Sequence, residues 1–301
     1  MDIISPSIQW FPGHMAKTRR MISANLKLVD VVVELRDCRI PLSSANPEID
    51  RLVGNKPRVI LLNKSDISDS ALTGSWCAYY REKGIPVLAV DCRSGKGLKN
   101  LTALVEGALS QQLARRAAKG MSGRPVRMMI VGIPNVGKSS LINRMAPSKR
   151  AKVEDRPGVT RGKQWVKLED GNELLDMPGV LWPKFEDQLV AENLAFTGAV
   201  KDEVLDIEGL AMRLLERISR EYPALLTARY KLTDLDSGGH GLLCQVAKNR
   251  GMLLPGGDLN TERGAIMVLD EFRGGKIGRI TLEKPPAKQP PQKPARGEEG
   301  P

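Results

Sequence analysis

The first 132 residues alternate short, wholly apolar runs with longer amphipathic stretches. Four six-residue runs are rich in branched side chains: 30–35 (DVVVEL), 58–63 (RVILLN), 86–91 (PVLAVD) and 127–132 (RMMIVG). Strands that are apolar throughout are buried on both faces, which is typical of a parallel sheet. Between them, three stretches carry apolar residues at helical spacing: 46–53, 70–83 and 97–116. The pattern predicts a doubly wound, mostly parallel α/β structure with right-handed crossovers.

Beyond residue 190 the pattern becomes helical. Three helices are predicted there, over 203–221, 241–249 and 261–272. The last has a capping oxygen at Asn260 or Thr261 and ends at Gly274. From Lys284 the chain is rich in Pro and Lys and has no large apolar side chains, which predicts disorder. We therefore predict an α/β domain over 1–185, a small all-helical domain over 186–283 and a disordered tail over 284–301.

Composition narrows the class of protein. The chain of 301 residues is 41% hydrophobic and 27% charged, which is typical of a folded globular protein. No apolar run approaches the ~18 residues of a membrane span, and no secretory leader pattern opens the sequence. The four cysteines lie far apart, which argues against a disulfide framework or a zinc site. We expect a cytoplasmic protein with no membrane partner.

The net charge of +11 is unevenly distributed. Residues 1–168 hold 29 basic and 13 acidic side chains, whereas residues 169–208 hold 2 and 11. A basic surplus of this size favours a polyanionic partner such as RNA, bound through phosphates in a salt-dependent way. Uneven surface composition is the alternative explanation, but the dense basic cluster in 141–168 favours the first.

Residues 132–139 (GIPNVGKS) fit the phosphate-binding pattern GxxxxGK[ST] between a predicted strand and a predicted helix, which is the context that the pattern requires. Glycines let backbone N–H groups wrap a phosphate without a Cβ clash. Lys138 is predicted to neutralise the β- and γ-phosphates, and the hydroxyl of Ser139 to bind Mg²⁺. The predicted phosphate-binding residues are Asn135, Val136, Gly137, Lys138, Ser139 and Ser140.

A second motif, NKSD at 63–66, follows the apolar run 58–63. The carboxylate of Asp66 can accept hydrogen bonds from N1–H and the 2-amino group of guanine, whereas adenine would leave it unpaired. The aliphatic stem of Lys64 can lie over the base. A polar turn at a strand end is the alternative for so short a motif. We predict that Asn63, Lys64 and Asp66 bind the base.

Two further segments could sense the γ-phosphate. Asp176, in the sequence DMPG, is predicted to hold Mg²⁺ through water, and the N–H of Gly179 to meet the γ-phosphate. Thr160, in the basic segment 151–160, carries a hydroxyl that could reach the same ion. Taken singly, each is equally compatible with an ordinary turn.

Together these four elements specify a GTPase of the translation-factor-like class, but in an altered order. NKSD precedes the P-loop by about seventy residues, whereas ordinary members have the P-loop first. The sequence therefore predicts a circularly permuted GTPase fold, which chain termini that lie close together permit. The segment after DMPG runs directly into the helical domain, and we expect this connection to transmit the nucleotide state.

With this order in view, the chain resembles the ribosome biogenesis GTPase A family of circularly permuted GTPases. The resemblance covers nearly the whole chain and rests on seven strings: WFPGHMAK, RDCRIP, NKSD, GIPNVGKSS, PGVTR, DMPG and TERGAIMVLDEFRGGKIG. Cys38 and Met177 depart from the family's usual residues at positions that are not presumed ligands. The resemblance implies a GTP-hydrolysing assembly factor for the large ribosomal subunit, stimulated by that particle, which binds GTP or GDP with Mg²⁺. It also implies that the helical domain contacts ribosomal RNA, and we expect a monomer.

The predicted catalytic machinery includes Lys138 and Thr160 and requires a further residue that activates water. Many GTPases place a Gln directly after the switch-loop Gly, but here that position is Val180, so slow intrinsic hydrolysis is expected. The family's proposed substitute corresponds to His14, whose imidazole can orient or deprotonate water. The alternative is a loop histidine that caps the following helix. Asn135 matches a K⁺ ligand of cation-activated relatives, so we include K⁺ as a candidate cofactor.

Three other functions were weighed against the sequence, and only the first of them is compatible with it. An RNA-binding protein whose nucleotide site is structural or weakly hydrolytic is compatible with Val180. The permuted GTPases that act on the small subunit carry a Cys/His zinc module, which the four scattered cysteines cannot supply. A P-loop kinase or ATPase is disfavoured by NKSD.

Overall fold

The computed structural model describes residues 12–287 except 122, 147–163 and 183–186, with side chains from residue 17 onward. Within these ranges the chain forms six strands: β1 (Val31–Asp37), β2 (Arg58–Asn63), β3 (Val87–Ala89), β4 (Arg127–Gly132), β5 (Gln164–Lys167) and β6 (Glu173–Asp176). They make one sheet in the order β3-β2-β1-β4-β6-β5. All neighbouring strands are parallel except β5 and β6.

The helices of the sheet-forming half of the described chain are α1 (Pro12–Leu26), α2 (Pro47–Val53), α3 (Ser70–Glu82), α4 (Leu101–Ala108), α5 (Ser110–Ala117) and α6 (Lys138–Met145). Those of the second half are α7 (Gln188–Phe196), α8 (Ile207–Glu221), α9 (Pro223–Tyr230), α10 (Gly238–Asn249) and α11 (Thr261–Arg273). Short 3-10 turns occupy Leu98–Asn100 and Asp202–Val204. None of the helices in the described ranges is long and apolar enough to cross a membrane.

The predicted fold class is confirmed, with differences at element ends. The stretch 97–116 is not one helix: it is interrupted at Leu109, shortly after Gly107, a poor helix former. The helix predicted from residue 203 begins at Ile207, because the Asp206 side chain caps it by accepting a hydrogen bond from the Gly209 N–H at 3.0 Å. Elements that the sequence pattern missed are β5, α7 and α9, which are short. The proposed boundaries between domains stay a prediction.

The hydrophobic core runs from the sheet into the helical half. One face of β1, with Val33 and Leu35, belongs to the same buried cluster as Leu214 of α8 and Phe272 of α11. On the other face, Val32, Met129 and Leu175 pack with Ile22 of α1 and Ile49 of α2. The P-loop half and the helical half of the chain therefore share apolar contacts.

After α11 the chain returns to the sheet, and we call residues 276–283 the C-terminal strap. The N–H of Ile280 donates to the Ile67 carbonyl at 3.2 Å, and the N–H of Leu282 donates to the Arg39 carbonyl at 2.7 Å. The indole of Trp76 donates to the carbonyl of Glu283 at 3.0 Å. The strap thus packs beside the loop that contains NKSD.

Candidate nucleotide-binding site

Five loops meet at the carboxyl edge of the parallel strands, where open α/β sheets bind ligands. They follow β1, β2, β3, β4 and β6, and they comprise residues 38–46, 64–69, 90–97, 133–137 and 177–180. The NKSD, GxxxxGKS and DMPG motifs are all among them. The fold therefore brings together motifs that are far apart in the chain.

The P-loop backbone adopts conformations that favour glycine. Gly132 has φ 152° and a Cβ there would lie 2.7 Å from the Leu35 carbonyl oxygen, while Gly137 has φ 104° and a Cβ would collide with the Asn63 amide. Asn135 has φ 56°, a left-handed conformation that Asn tolerates. Helix α6 begins at Lys138, with Ser139 and Ser140 half-buried in its first turn. Loop and helix N-terminus together present backbone N–H groups suited to a phosphate.

Lys138 is buried beneath the loop. Its Nζ donates to the carbonyl oxygens of Ile133 at 2.9 Å and Gly132 at 3.2 Å. Burial lowers the pKa of Lys138 to about 8, and the nearby negative charge of Asp176 opposes the shift. Because this ammonium is partly desolvated, a bound polyphosphate would form strong charge-assisted hydrogen bonds with it.

Asn63 joins NKSD to the P-loop. Its Nδ2 donates to the Val136 carbonyl at 2.7 Å, and its Oδ1 accepts from the Cys92 N–H at 2.9 Å. The loop 90–97 after β3 is thereby fixed beside NKSD, although sequence reasoning assigned it nothing. The sequence did contain a signal for this loop, because it follows the apolar run 86–91, the next predicted strand after the one that ends in NKSD. Asp66 lies half-buried in the turn that follows Lys64.

Lys64 is held by a buried ion pair that sequence reasoning missed. Its backbone has φ 65°, and its Nζ lies 3.1 Å from Oδ2 of Asp37. The guanidinium of Arg39 donates to both oxygens of Asp37, at 2.9 and 2.8 Å, and also to the Phe272 carbonyl at 3.2 Å. Burial alone would raise the pKa of Asp37, but the charges of Arg39 and Lys64 hold that pKa well below its usual range. The sequence signal for this ion pair was the string RDCRIP (36–41), which contains Asp37 and Arg39 but was used above only as a mark of the family.

The loop after β6 lies against the P-loop. A Cβ at Gly179 would be 2.9 Å from both the Lys138 Nζ and the backbone of Pro134. Asp176 is 3% exposed, at the end of its strand. The N–H of Val180 donates to the Gly132 carbonyl at 3.2 Å, and the Val180 side chain is buried in the apolar cluster on the α1 side of the sheet.

Two predicted residues fall outside the described parts. Thr160 lies in the range 147–163, and His14 lies in the first turn of α1, where the structure describes no side chains. Asn135 is described: its Nδ2 donates to the Gly198 carbonyl, just beyond α7, at 2.7 Å. The P-loop therefore contacts the helical half directly.

Comparison with known proteins agrees with this geometry. Residues 127–223 match the family described as 50S ribosome-binding GTPase. A ribosome biogenesis GTPase A of Bacillus cereus is 47% identical over 278 residues, which cover 92% of this chain and 94% of that protein. The chain belongs to the ribosome biogenesis GTPase A family.

More distant members support the same membership, so the predicted resemblance is confirmed. The Thermotoga maritima ribosome biogenesis GTPase A is 30% identical over 92% of this chain and 95% of its own length. A solved GDP-bound YlqF is 30% identical, with a TM-score of 0.66 over 88% of this chain and 99% of that chain. A GNP-bound YlqF from T. maritima gives a TM-score of 0.65 at 28% identity, over 89% of this chain and 98% of that chain.

Proposed function

We propose that this chain is a GTP-hydrolysing assembly factor whose nucleotide state controls its binding to the large-subunit precursor and its ribosomal RNA. Family membership supports the GTPase and its role in ribosome biogenesis. The observation that carries the proposal is the contact between the Asn63 amide and the P-loop carbonyl of Val136, because it places a guanine-reading motif beside a phosphate cradle. We place the protein in the cytoplasm. We also expect it to be a monomer, which light scattering of the purified chain tests.

Co-sedimentation with separated ribosomal subunits tests the proposal. The chain is expected to sediment with the large subunit in the presence of a non-hydrolysable GTP analogue and less with GDP. Multiple-turnover GTP hydrolysis is expected to rise when large subunits are added. Binding to both subunits alike, or turnover indifferent to the particle, would instead favour an RNA-binding protein with a structural nucleotide site.

The residues present fit a magnesium-bound nucleotide. Mg²⁺ prefers oxygen ligands, and the Ser139 hydroxyl and the Asp176 carboxylate (the latter through water) supply them on two adjacent elements. Thr160 is the third proposed ligand. Magnesium would neutralise charge on the phosphate oxygens, while Lys138 and the backbone N–H groups from Asn135 to Ser140 bind and orient the phosphates. The Gly179 N–H approaches the γ-phosphate, since Gly179 lies against Lys138.

Replacing Asp66 with Asn is expected to change the base preference. The Asn amide can donate to the 2-oxygen of xanthine, but it cannot accept both guanine N–H groups, so GTP affinity should fall by roughly two orders of magnitude. Xanthosine triphosphate should then bind more tightly than GTP in competition titrations. Ser70→Ala, at an exposed position in the same region, serves as the control and should leave the preference unchanged. Unaltered GTP affinity in Asp66→Asn would reject the base-binding role.

Replacing His14 with Ala is expected to remove particle-stimulated turnover while sparing GTP affinity. Val180 offers no polar atom in its side chain, so a residue from elsewhere must orient the water, and imidazole can do so near neutral pH. A loss of roughly 10²-fold in stimulated kcat is expected. Stimulated turnover equal to that of the unaltered chain would show that His14 is not catalytic.

Potassium is expected to accelerate hydrolysis relative to sodium. Asn135 is oriented by its Nδ2 hydrogen bond to Gly198, and its amide oxygen is the proposed K⁺ ligand beside the phosphates. A cation there would stabilise developing charge, with an effect on the order of tenfold. Rates measured in KCl and NaCl at equal ionic strength should differ, and Asn135→Ala should remove the difference.

A further inference from the structure

The apolar face of the sheet beneath α1 and α2 ends in an exposed indole. Val32, Met129, Leu175 and Trp165 are register partners across β1, β4, β6 and β5, so their side chains share one face. The first three are fully buried, whereas Trp165 is 39% exposed on the edge strand. Val32, Met129 and Leu175 belong to the buried cluster that includes Ile22 of α1 and Ile49 of α2. The exposed end of this row, at the edge of the sheet, is therefore a single aromatic ring.

Charged side chains lie beside this ring. Lys167, Glu173 and Arg127 form the neighbouring row on the same face. The guanidinium carbon of Arg127 lies 5.4 Å from the centroid of the Trp165 ring, and its Nε donates to Glu173 at 2.7 Å. Beside it is a hollow of about 290 Å³, lined by Arg124, Pro125, Arg127 and Glu173. That volume is close to the ~300 Å³ lower end of ordinary small-ligand pockets.

The charges here favour a polyanion. Glu173, which lines the hollow with Arg124, is already paired with Arg127. Asp170, in the turn between β5 and β6, accepts hydrogen bonds from Thr102 and Asn172, and Glu169 precedes it in that turn. Within the described parts of the chain, neither Arg124 nor Lys167 forms an ion pair. A protein partner would be expected on a contiguous apolar patch. One aromatic ring among arginines instead matches the way in which proteins hold unpaired nucleotides.

We propose that Trp165, Arg127, Arg124 and Lys167 form a subsite for an unpaired nucleotide of RNA. The base stacks on the indole, and the flanking phosphates pair with Arg124 and Lys167. The inference rests on the RNA partner of the proposed function and specifies which surface of the sheet-forming half meets it. Arg127 and Glu173 begin their strands and Lys167 pairs with Glu173, so the charged row of the subsite lies at the opposite end of the strands from the carboxyl edge that binds GTP. Trp165 pairs with Leu175 and lies one row nearer to that edge. RNA binding here and GTP binding should therefore be separable by mutation.

Fluorescence anisotropy with a labelled single-stranded 12-nucleotide adenylate RNA tests the stacking. Trp165→Leu keeps an apolar side chain but removes the ring, and it should weaken binding about tenfold or more. Trp165→Phe should stay within about threefold of the unaltered chain, because a ring remains to stack. Both variants should bind GTP normally, which also shows that they fold.

Salt dependence tests the phosphate contacts. Arg124→Gln and Lys167→Gln should each lower the slope of log affinity against log salt by about 0.7, the value for one phosphate on a single strand. Arg81→Gln, in α3 beside the opposite edge of the sheet, makes the same change in charge and should alter neither slope nor affinity. Equal losses in Arg81→Gln and in the subsite variants would overturn the proposal, because they would show a generic charge effect.

Four results separate the fate of this subsite from that of the proposed function. If the unaltered chain fails to sediment with large subunits, the proposed function is wrong irrespective of Trp165. If it sediments but Trp165→Leu sediments and binds the oligonucleotide equally well, the subsite is wrong and the proposed function stands. Failure of the unaltered chain to bind the oligonucleotide, or equal Trp165 dependence with a duplex RNA, also rejects an unpaired-nucleotide site.

Discussion

Replacing Lys138 with Met should lower GTP affinity by roughly two to three orders of magnitude while leaving the nucleotide-free protein at least as stable. The loss follows from removing one partner of a buried charge pair, which costs about 2–5 kcal/mol. The stability expectation follows from burial, since the unliganded fold holds a desolvated ammonium whose pKa is lowered to about 8. The two hydrogen bonds to Gly132 and Ile133 offset part of that gain. Titration with a fluorescent GDP analogue and urea unfolding measure the two effects.

The pH dependence of the same variant gives an independent check. Between pH 8 and about 10.5 the unfolded chain still binds the Lys138 proton that the folded chain has released, so folding stability rises with pH in that interval. Across this pH interval, the free energy of unfolding of the unaltered chain should therefore rise by up to about 3 kcal/mol more than that of Lys138→Met. Lys99→Met, at an exposed lysine, should reproduce neither effect. A Lys138→Met protein that is much less stable at pH 7 would contradict this interpretation.

Replacing Asp37 with Ala should destabilise the fold by about 3–5 kcal/mol, because it leaves the fully buried Arg39 without its carboxylate. Lys64 loses the same partner, so guanine-nucleotide affinity should fall as well. Denaturant unfolding measures the first effect and nucleotide titration the second. The Asp37 carboxylate contributes to folding stability at every pH above its unfolded pKa, about 4. That contribution is lost as the pH falls through the lower pKa of the folded state, so the variant should lack this component of acid unfolding.

The double variant Asp37→Ala with Arg39→Met separates charge from packing. It removes both ions and leaves an aliphatic chain in the space of the guanidinium, so most of the lost stability should return. Guanine-nucleotide affinity should stay low, because Lys64 still has no carboxylate to position it. Recovery of affinity together with stability would show that Asp37 serves the fold alone.

Local sequence signals predicted the parts of the fold that depend on neighbouring residues. The runs 58–63 and 127–132 coincide with β2 and β4, because strands buried on both faces are apolar at every position. The cap of α11 was also predictable: the Asn260 side chain accepts a hydrogen bond from the Arg263 N–H at 2.8 Å. The edge strand β5 was missed because only Val166 among its four residues is buried, which leaves too short a pattern.

Long-range pairing is what the sequence could not disclose. Nothing near Asp37 indicates that Arg39 donates to the carbonyl of a residue 233 positions later. The motifs indicated that NKSD and the P-loop belong to one site, but the Asn63 bond to Val136 depends on strand order. Likewise, Trp165 became notable only when the register placed it at the end of a buried row.

The C-terminal strap has a consequence for how the protein is made. Thr281 accepts a hydrogen bond from the N–H of Asp69, which was synthesised 212 residues earlier, and Ile280 donates to Ile67 beside the guanine-reading loop. During translation that loop is synthesised early, and its packing is completed only after the strap has been synthesised. The packing around Ile67 and Asp69 is therefore complete only when the strap is present. A nascent or truncated chain without the strap is expected to bind GTP more weakly than a chain that contains it, which nucleotide titration of the two chains would measure.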